Sequence, residues 1–516
     1  MNIRDAKQEI TDTVRAYLKK DETGAYEIPV EKQRPLLLIG PPGIGKTAIV
    51  EQAAHECGIN LVSYTMTHHT RQSAIGLPYI VKKRYGGKEV SVTEYTMSEI
   101  VAAVYDQIEK TGIKEGILFL DEINCVSETL APTMLQFLQY KTFGTHRVPD
   151  GFVIVTAGNP PQYNRSVRDF DVVTWDRVRR IDVEPDFDAW KEYAYRAGVH
   201  GAVISYLEIH RDYFYRIRTE VEGRRFVTAR GWEDLSRMIR VREELGRPVT
   251  EDLVAEYLQD REIAGDFAVY CELYRKYRDQ YRVPDILAGS WREMTEKSTA
   301  GTGDASDAGD APDSLKNAPF DEKLSLLSLL LDSLGQDFRA YAEEKDVQKM
   351  LFGILKRAKT QAQVQEEAAA LREKCEAEAE SHMADRTEER EMRLALEALK
   401  GLDRELTMAK TRHDGADGDT QEYDRIRAWF AAREEKRQAR IRDTDRRLTN
   451  CFSFIAETYG EGQEMVLFLS ELSGSSYAVT FLRECGNDAY FRYNRLLLLK
   501  DRRSELRQEI LSLNPS

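Results

Sequence analysis

The sequence predicts an α/β domain built on a parallel sheet, followed by a long helical region. Three observations predict this fold. Short apolar runs alternate with helical stretches over residues 35–184, as expected for parallel strands covered by helices. A glycine-rich segment, Gly40–Thr47, separates the first apolar run from the first helical stretch. From residue 318 to residue 516 the pattern is helical throughout.

Five apolar runs predict the strands of the sheet. They are Leu36–Ile39, Asn60–Tyr64, Ile117–Leu120, Phe152–Ala157 and Arg180–Val183. An amphipathic helix is predicted over residues 3–20, because apolar side chains recur on one of its faces. Two hairpins are expected to interrupt the alternation of strands and helices. One covers residues 79–92 with its turn at Gly86-Gly87, and the other turns at Phe143–His146.

The composition divides the chain into four segments. Residues 1–184 are the predicted sheet domain with its N-terminal helix, and the aromatic-rich residues 185–296 are a predicted all-α domain. Residues 297–317 lack aromatic and β-branched apolar residues, so we expect a flexible acidic linker there. Residues 318–516 are the helical region, and because nothing in them resembles a catalytic site, we expect them to dock a partner or client.

One helix of that last region is predicted to form a coiled-coil-like seam of about two heptads. Its apolar residues alternate spacings of three and four: Met392, Ala395, Leu399, Leu402 and Leu406. The glycine-containing segment Gly415–Asp419 is expected to reverse the chain between two long helices.

Length and charge restrict the class of protein. The 516 residues are enough for roughly three domains. The formal net charge of −14 argues against broad attraction to nucleic acid, although a local basic groove is compatible with it. No apolar run approaches the ~18 residues that span a bilayer, and the polar N-terminus predicts no signal peptide. The six cysteines are scattered, without a C-x-x-C pair, which indicates reduced thiols in a cytoplasmic protein.

The segment Gly40–Thr47 fits the phosphate-binding loop pattern G-x-x-x-x-G-K-[ST]. Between a strand and a helix, such a loop aims backbone N–H groups and a helix N-terminus at a phosphate chain. Lys46 would reach the β- and γ-phosphates, and the Thr47 hydroxyl would bind Mg²⁺. We therefore expect a bound nucleoside triphosphate. Its loop residues are Gly40, Pro41, Pro42, Gly43, Ile44, Gly45, Lys46 and Thr47.

Polar residues also follow the third and fourth predicted strands. Asp121 can hold hydrated Mg²⁺ together with Thr47, and Glu122 can orient and polarise the attacking water. An acidic pair after an apolar run is common, but it becomes specific in a chain that also has the phosphate-binding loop. Asn159 follows the next strand and can help to place the same water. The alternative for Asn159 is an ordinary Asn-Pro loop.

Two arginine-containing segments are further candidates. Arg177, Arg179 and Arg180 precede the fifth strand. In a ring, an arginine of one subunit can reach its neighbour's γ-phosphate and offset the charge that develops in the transition state. The alternative is a solvated loop. Arg230 begins a helix of the predicted all-α domain, where it is either a nucleotide contact or an ordinary surface arginine.

Taken together, these motifs resemble those of the AAA+ ATPases, and within them the MoxR-type branch. The resemblance rests on Gly40–Thr47, on Leu118–Asn124 with its Asp-Glu-Ile-Asn tetrad, and on Ala157–Pro160. It covers about residues 30–285. The resemblance implies a doubly wound sheet with strand order 5-1-4-3-2, a helical lid, ATP hydrolysis with Mg²⁺, and a ring that is usually hexameric.

The resemblance also implies roles for individual positions. Asn159 matches the sensor-1 position, Arg177 the arginine finger and Arg230 the sensor-2 arginine. The two hairpins match the helix-2 insert, at about residues 76–95, and the pre-sensor hairpin, at about residues 140–152. In this family both hairpins point towards the ring pore or the client.

Three departures from the family pattern bear on these roles. Val178 stands where the family usually has Phe, which leaves Arg179 and Arg180 as alternatives to Arg177. Ala229 precedes Arg230 where Pro is usual. The segment 69–75 lacks the acidic residue often found there. The pair His68-His69 fits a polar loop better than a metal site, because no third ligand has a recognisable spacing.

Three functions are consistent with these motifs. The leading hypothesis is a chaperone that remodels protein clients with a separate partner carrying a von Willebrand factor A domain, which MoxR-type ATPases commonly use. The alternative is a nucleic-acid motor or loader, favoured by the basic segment Lys82–Arg84 and the arginine-rich run Arg433–Arg447. A scaffold that binds ATP but turns over slowly is the third, and the presence of Glu122 argues against it.

Overall fold

The structure, a computed structural model, describes residues 1–68, 74, 76–127, 129–163, 167, 170, 172–220, 223–291, 318–381, 386–412 and 419–495. The predicted linker, most of the segment before Gly76, and the turn before Asp419 lie outside these residues. The chain divides into two units. Unit 1 comprises residues 1–189 and 371–393, and unit 2 comprises residues 190–370 and 394–516.

Unit 1 alternates strands and helices in the predicted way. Its strands are β1 (Leu36–Ile39), β2 (Asn60–Thr65), β3 (Pro78–Tyr85), β4 (Lys88–Tyr95), β5 (Gly116–Asp121), β6 (Thr142–Phe143), β7 (His146–Arg147), β8 (Phe152–Gly158) and β9 (Arg179–Asp182). Its helices are α1 (Ile3–Leu18), α2 (Lys46–Cys57), α3 (Glu99–Thr111), α4 (Ala131–Tyr140) and α5 (Val172–Arg177). The next helix, α6 (Phe187–Ala197), begins in unit 1 and ends in unit 2.

The central sheet of unit 1 has the order β2-β5-β8-β1-β9, and all its pairings are parallel. Counted along the chain, this is the expected order 5-1-4-3-2, so the predicted fold class is confirmed. β1 and β8 are buried at every residue, because helices cover both faces of a parallel sheet. Their near-continuous apolar sequence reflects this burial.

Both predicted hairpins are present in unit 1. β3 pairs antiparallel with β4, and Gly86 and Gly87 form the turn between them with φ of 57° and 83°. Positive φ at both central residues is the geometry that favours a glycine pair in a two-residue hairpin. The second hairpin joins β6 and β7 through Gly144. It is short, with two residues in each strand.

Lys141, at the end of α4, is a buried amine that connects three parts of unit 1. Its Nζ donates to Gln33 Oε1 at 3.1 Å and to the carbonyl of Phe152 at 2.8 Å. The Gln33 side chain in turn donates to the carbonyls of Tyr17 and Ile28. Burial lowers the pKa of Lys141 to about 8. The amine thus joins the segment before β1 to the start of β8 and to the second hairpin.

The free energy of unfolding is expected to rise between about pH 8 and pH 10.5 because of Lys141. Below pH 8 the amine is charged in both states, so the folded state carries the cost of burying that charge. Above pH 8 the unfolded chain binds more protons than the folded one, so stability increases with pH. The pKa difference from the ordinary 10.5 corresponds to roughly 3 kcal/mol at most. Denaturation of Lys141→Met should show a smaller rise, whereas equal rises in both proteins would contradict this.

Unit 2 is predominantly helical. After α6 its helices are α7 (Gly201–Ile209), α8 (Ala229–Glu244), α9 (Glu251–Leu258), α10 (Arg261–Gln280), α11 (Val283–Ala288), α12 (Phe320–Leu355), α13 (Gln361–Ser381), α14 (Arg386–Arg412), α15 (Asp419–Tyr459), α16 (Gln463–Gly474) and α17 (Ser476–Cys485). Residues 371–393 of α13 and α14 belong to unit 1. The five predicted seam residues of α14 are all buried.

The predicted all-α lid also contains a β-hairpin, which corrects that expectation. β10 (Arg216–Glu220) pairs antiparallel with β11 (Gly223–Val227). The arginines along both strands obscure the alternation that would predict a strand, because their long stems can lie on either a helix or a strand. Only Ile217, Phe226 and Val227 supply apolar character to the two strands.

The core of unit 2 joins the lid sequence to the C-terminal helices. α7 is buried around its whole circumference from Gly201 to Leu207. A helix that is apolar on all sides must be enclosed by others, and α7 packs against both α10 and α12. Three aromatic rings pack against one another in this core. Phe267 meets Tyr206 and Trp232 edge-on, and Tyr206 and Trp232 are tilted relative to each other. The predicted lid segment and the start of the C-terminal region therefore share one core.

Within the described residues, no single helix is long and apolar enough to cross a membrane. α16 and α17 meet the length and composition requirement only when they are taken together, and they are bent by 90°. Their large apolar side chains Phe468, Leu472 and Phe481 are buried in unit 2.

Candidate functional site

Three neighbouring strands of unit 1 bring the predicted site residues to one edge of the sheet. β5, β8 and β1 are adjacent and parallel, so their carboxyl ends lie side by side. Asp121 is the last residue of β5, Asn159 follows β8, and Gly40 follows β1. In open α/β sheets, ligands bind at this edge.

The loop after β1 requires glycine at specific positions. Gly43 and Gly45 adopt φ of 75° and 96°, in the left-handed region that other residues avoid. Gly45 is also the N-cap of α2, so the loop runs directly into the helix N-terminus. A Cβ on Gly40 would lie 2.6 Å from the carbonyl oxygen of Val183, so only glycine fits there.

Lys46, the first residue of α2, is buried, with 8% of its surface exposed. Its Nζ donates to the carbonyls of Gly40 and Pro41, both at 2.8 Å, and to Asn159 Oδ1 at 2.9 Å. A buried ammonium group is costly unless it is paired or hydrogen-bonded. These contacts therefore hold the positive charge inside the loop and join it to the predicted sensor-1 residue.

Thr47 and Asp121 form the predicted metal pair. Thr47 Oγ1 donates to Asp121 Oδ2 at 3.2 Å. The described residues contain no group of three or more His, Cys, Asp or Glu side chains that could hold a metal ion. One hydroxyl and one carboxylate fit Mg²⁺, which typically takes one or two protein ligands and completes its shell with phosphate oxygens and water.

Glu122, which is predicted to orient and polarise the attacking water, has a strained backbone. Its φ of 55° and ψ of 38° are left-handed, which costs of order 1 kcal/mol or more for a residue with a side chain. Its N–H donates to Asp121 Oδ1 at 2.9 Å. Asp121 therefore uses one carboxylate oxygen for Thr47 and the other to hold the backbone that places Glu122.

Asn124 supports the site in a way that the sequence did not predict. Its Nδ2 donates to the carbonyl of Asn159 at 2.7 Å, and its side chain is buried. A Cβ on Gly158 would meet the Asn124 amide, with Oδ1 at 2.6 Å and Cγ at 2.8 Å. Asn124 therefore positions Asn159, and the missing side chain at Gly158 makes room for it. The Asp-Glu-Ile-Asn tetrad was the signal that could have indicated this.

Gly158→Ala is expected to lower the free energy of unfolding by roughly 1–3 kcal/mol, because the new methyl group overlaps the Asn124 amide. The three atoms nearest to that methyl group all belong to the Asn124 side chain. In an Asn124→Ala background, the same substitution should therefore cost much less. Chemical denaturation of the wild type, both single variants and the double variant measures this coupling. Strictly additive effects would contradict the packing described here.

The arginines before the fifth strand differ in their contacts. Arg179 donates to Thr13 Oγ1 at 2.8 Å and pairs with Glu9 on α1. Arg180 binds Asp182 at 2.7 Å and lies 4.6 Å from the Trp175 ring centre. Arg177 ends α5 and is half-buried.

Within the described part of the chain, Arg177 makes no ion pair or side-chain hydrogen bond. Of the three arginines, it is therefore the one whose guanidinium group has no partner among the residues that the structure describes. The assignment of Arg177 as the trans-acting arginine stays a prediction.

Arg230 is the second residue of α8 in unit 2, and its side chain is exposed. α8 begins at the N-cap Thr228, whose side chain accepts a hydrogen bond from the N–H of Gly231. The contact of Arg230 with the nucleotide stays a prediction.

Comparison with known proteins identifies the domain. Residues 35–178 match a sequence profile of the AAA domain, dynein-related subfamily. Among solved structures, the chain is similar to a Cytophaga hutchinsonii protein provisionally described as an ATPase, at 15% identity and a TM-score of 0.22. That match covers 36% of this chain and 51% of the other.

It is also similar to PCH-2 of C. elegans, at 16% identity and a TM-score of 0.23, over 41% of this chain and 52% of that one. The chain thus spans about half the length of each of these structures. The matched profile begins at the residue before β1 and ends just before β9. The profile match identifies residues 35–178 as an AAA domain, and the central sheet of order β2-β5-β8-β1-β9 is built largely from these residues.

Proposed function

We propose that this chain is a MoxR-type AAA+ ATPase that uses ATP and Mg²⁺ to remodel protein clients. Two contacts support the proposed ATPase activity: Lys46 with Asn159, and Thr47 with Asp121. These contacts unite the phosphate-binding loop with the polar ends of two other strands. The proposal includes a hexameric ring and a separate partner with a von Willebrand factor A domain, both on the strength of the sequence resemblance.

The chemistry follows from the groups at this edge of the sheet. Mg²⁺, held by Thr47 and Asp121, would neutralise charge on the phosphate oxygens. Lys46 would offer its positive charge to the same oxygens and could exchange its carbonyl contacts for them. Glu122 accepts a proton from the attacking water, and Asn159 orients that water. Arg177 of a neighbouring subunit would offset the remaining charge.

A protein client is favoured by the surface of the β3–β4 hairpin. Paired residues share a face of a hairpin, so Tyr79, Tyr85 and Val90 lie on one face. These three side chains are exposed by 45%, 58% and 45%. On the same face Lys83 pairs with Glu94, which offsets its charge, while Lys88 keeps a positive charge beside Tyr85. A group of exposed aromatic and apolar side chains suits a polypeptide better than a phosphate backbone.

The arginine-rich run of α15 gives little support to nucleic-acid binding. Four of its six arginines pair with carboxylates inside unit 2. The pairs are Arg437 with Glu434, Arg440 with Glu344, Arg446 with Asp443, and Arg447 with Asp337. Each paired guanidinium would have to give up its carboxylate before it could bind a phosphate, which reduces the net gain. The run therefore serves the packing and solvation of long helices.

The experiment that tests the proposed function is capture of clients by Glu122→Gln, which should hold ATP without turnover. The hairpin provides matched variants on this background. Tyr79→Ser with Tyr85→Ser removes aromatic groups from one face, and Lys82→Gln with Arg84→Gln removes charges from the other. Loss of captured protein with the tyrosine variant alone supports a client bound through the aromatic face.

The rate of ATP hydrolysis separates the two candidate functions. Addition of a captured protein should stimulate turnover, and addition of DNA or RNA should not. Strong stimulation by DNA alone, abolished by Lys82→Gln with Arg84→Gln, would replace the chaperone proposal with that of a nucleic-acid motor.

A further inference from the structure

Unit 2 contains a cavity far along the chain from the phosphate-binding loop. It lies among α6, α7, α12 and the start of α17. It offers about 30 Å³ to the centres of water-sized molecules, which is room for two or three waters or one small ion. The polar residues of its wall include Tyr195, Ser328, Asp332, Arg339 and Ser475.

Arg339 is the first reason to expect an anion in this cavity. Its guanidinium group packs against Gly198, where an added Cβ would lie 2.1 Å from Nη1. Its Nε is buried and has no hydrogen-bond partner among the described residues. Burial lowers the pKa of this guanidinium group, and the positive charge of the neighbouring Arg240 lowers it further. A buried charged donor without a partner is costly, so a ligand that accepts from it is favoured.

Charged groups of both signs surround Arg339. Arg240 donates to the carbonyl of Gly198 at 2.7 Å and lies 3.9 Å from Asp332 Oδ1. Asp332 also accepts from Gln336, at 3.4 Å. The carboxylates of Asp332 and Glu343 both act on Arg339 and offset the charge of Arg240. The feature that favours an anion is therefore the buried Nε–H of Arg339, which has no acceptor among the described residues.

Two further features lie at the cavity wall. α17 begins there, with Ser475 as its N-cap, so the positive end of the helix dipole is close to the cavity. The hydroxyl of Tyr274 lies against Gly201, which lines the cavity, at 2.4 Å from a Cβ built there. This hydroxyl is also buried without a partner among the described residues.

We propose that this cavity binds one small oxyanion, a phosphate or carboxylate group, through Arg339. The site is separate from the phosphate-binding loop in sequence and does not depend on the proposed function. An anion there accepts a hydrogen bond from the buried Arg339 Nε of α12, in a cavity that residues of α6 and α7 also line. Its binding therefore stabilises the packing of α12 and α17 on the lid.

The test uses the full chain with Lys46→Ala, which weakens phosphate binding at the loop. Isothermal titration with inorganic phosphate, at constant ionic strength, should show one saturable site. Arg339→Met should weaken this binding by about tenfold or more, because it removes a charge-assisted hydrogen bond. Arg261→Met, at an exposed arginine of unit 2 that does not line the cavity, should leave it unchanged.

A second pair of variants guards against misfolding of Arg339→Met. Gly335 lines the cavity, and a Cβ there meets no atom within 4 Å, so Gly335→Leu should fill the cavity. Gly353→Leu, on the same helix and equally free of neighbours, is the matched control. Loss of phosphate binding in Gly335→Leu but not in Gly353→Leu supports the site.

The outcomes distinguish the sources of the anion. Competition by acetate at equal concentration would assign the site to carboxylates, and its absence to phosphate groups. Binding that is insensitive to both Arg339→Met and Gly335→Leu would overturn the proposal. So would the absence of binding by either anion to the Lys46→Ala chain, since the cavity would then hold water alone.

Discussion

Replacement of Glu122 by Gln is expected to lower ATP turnover by roughly two to four orders of magnitude while ATP binding is retained. The amide keeps the size of the side chain but cannot accept the proton of the attacking water. The hydrogen bond from the Glu122 N–H to Asp121 is unaffected, so the metal pair stays in place. Single-turnover and steady-state hydrolysis, together with nucleotide binding, measure the two effects separately.

Lys46→Ala is the matched control for Glu122→Gln, because it should act on binding itself. The substitution removes the amine that joins Gly40, Pro41 and Asn159. A raised dissociation constant for ATP is therefore expected, in contrast to the near-normal value in Glu122→Gln. Near-normal turnover in both variants would show that the ATPase site does not lie at this edge of the sheet.

Replacement of Arg177 by Ala is expected to reduce turnover by roughly 10³-fold or more, if the ring brings it to a neighbouring nucleotide. The structure leaves its guanidinium group without an intrachain partner in the described residues, whereas Arg179 and Arg180 are held. A mixture of Arg177→Ala subunits with Glu122→Gln subunits should recover activity. At mixed interfaces one subunit supplies the intact Glu122 and the other supplies the intact Arg177.

Arg179→Ala provides the contrast to Arg177→Ala. Its loss removes the contacts with Glu9 and Thr13, so it should loosen α1 from β9 and lower the melting temperature. Mixing with Glu122→Gln subunits should not restore the melting temperature. If mixing instead rescues Arg179→Ala and fails for Arg177→Ala, in assemblies shown to be mixed, the trans-acting role belongs to Arg179.

Much of unit 1 could be predicted because its signals are local. β1 is predicted at its observed bounds, β2 and β8 differ from the predicted runs by one residue at one end, and β5 and β9 differ by one residue at both ends. The Gly86-Gly87 turn and the loop glycines are also local signals, since each depends on the φ that its own residue can adopt. The candidate site residues could be predicted in the same way, because each lies at the end of a predicted strand: Gly40–Thr47 after β1, Asp121 at the end of β5 and Asn159 after β8.

Contacts between distant segments could not be predicted. The bond from Asn124 to the Asn159 carbonyl joins residues 35 positions apart, and no periodicity indicates it. The contact of Arg179 with Glu9 on α1 joins residues 170 positions apart. The β10–β11 hairpin was missed because its apolar residues are few and its arginines suit either a strand or a helix.

The sequence by itself determined the α/β class, the AAA-type nucleotide loop and the residues that follow each strand, because glycine geometry and apolar periodicity act over a few residues. Only the tertiary structure decided that Arg179 and Arg180 have ion-pair partners and that Asn124 supports Asn159. It also decided that α12 packs against α7 and that Arg339 lines a cavity. These features depend on which side chains meet after folding, and burial then determines which polar groups keep a partner.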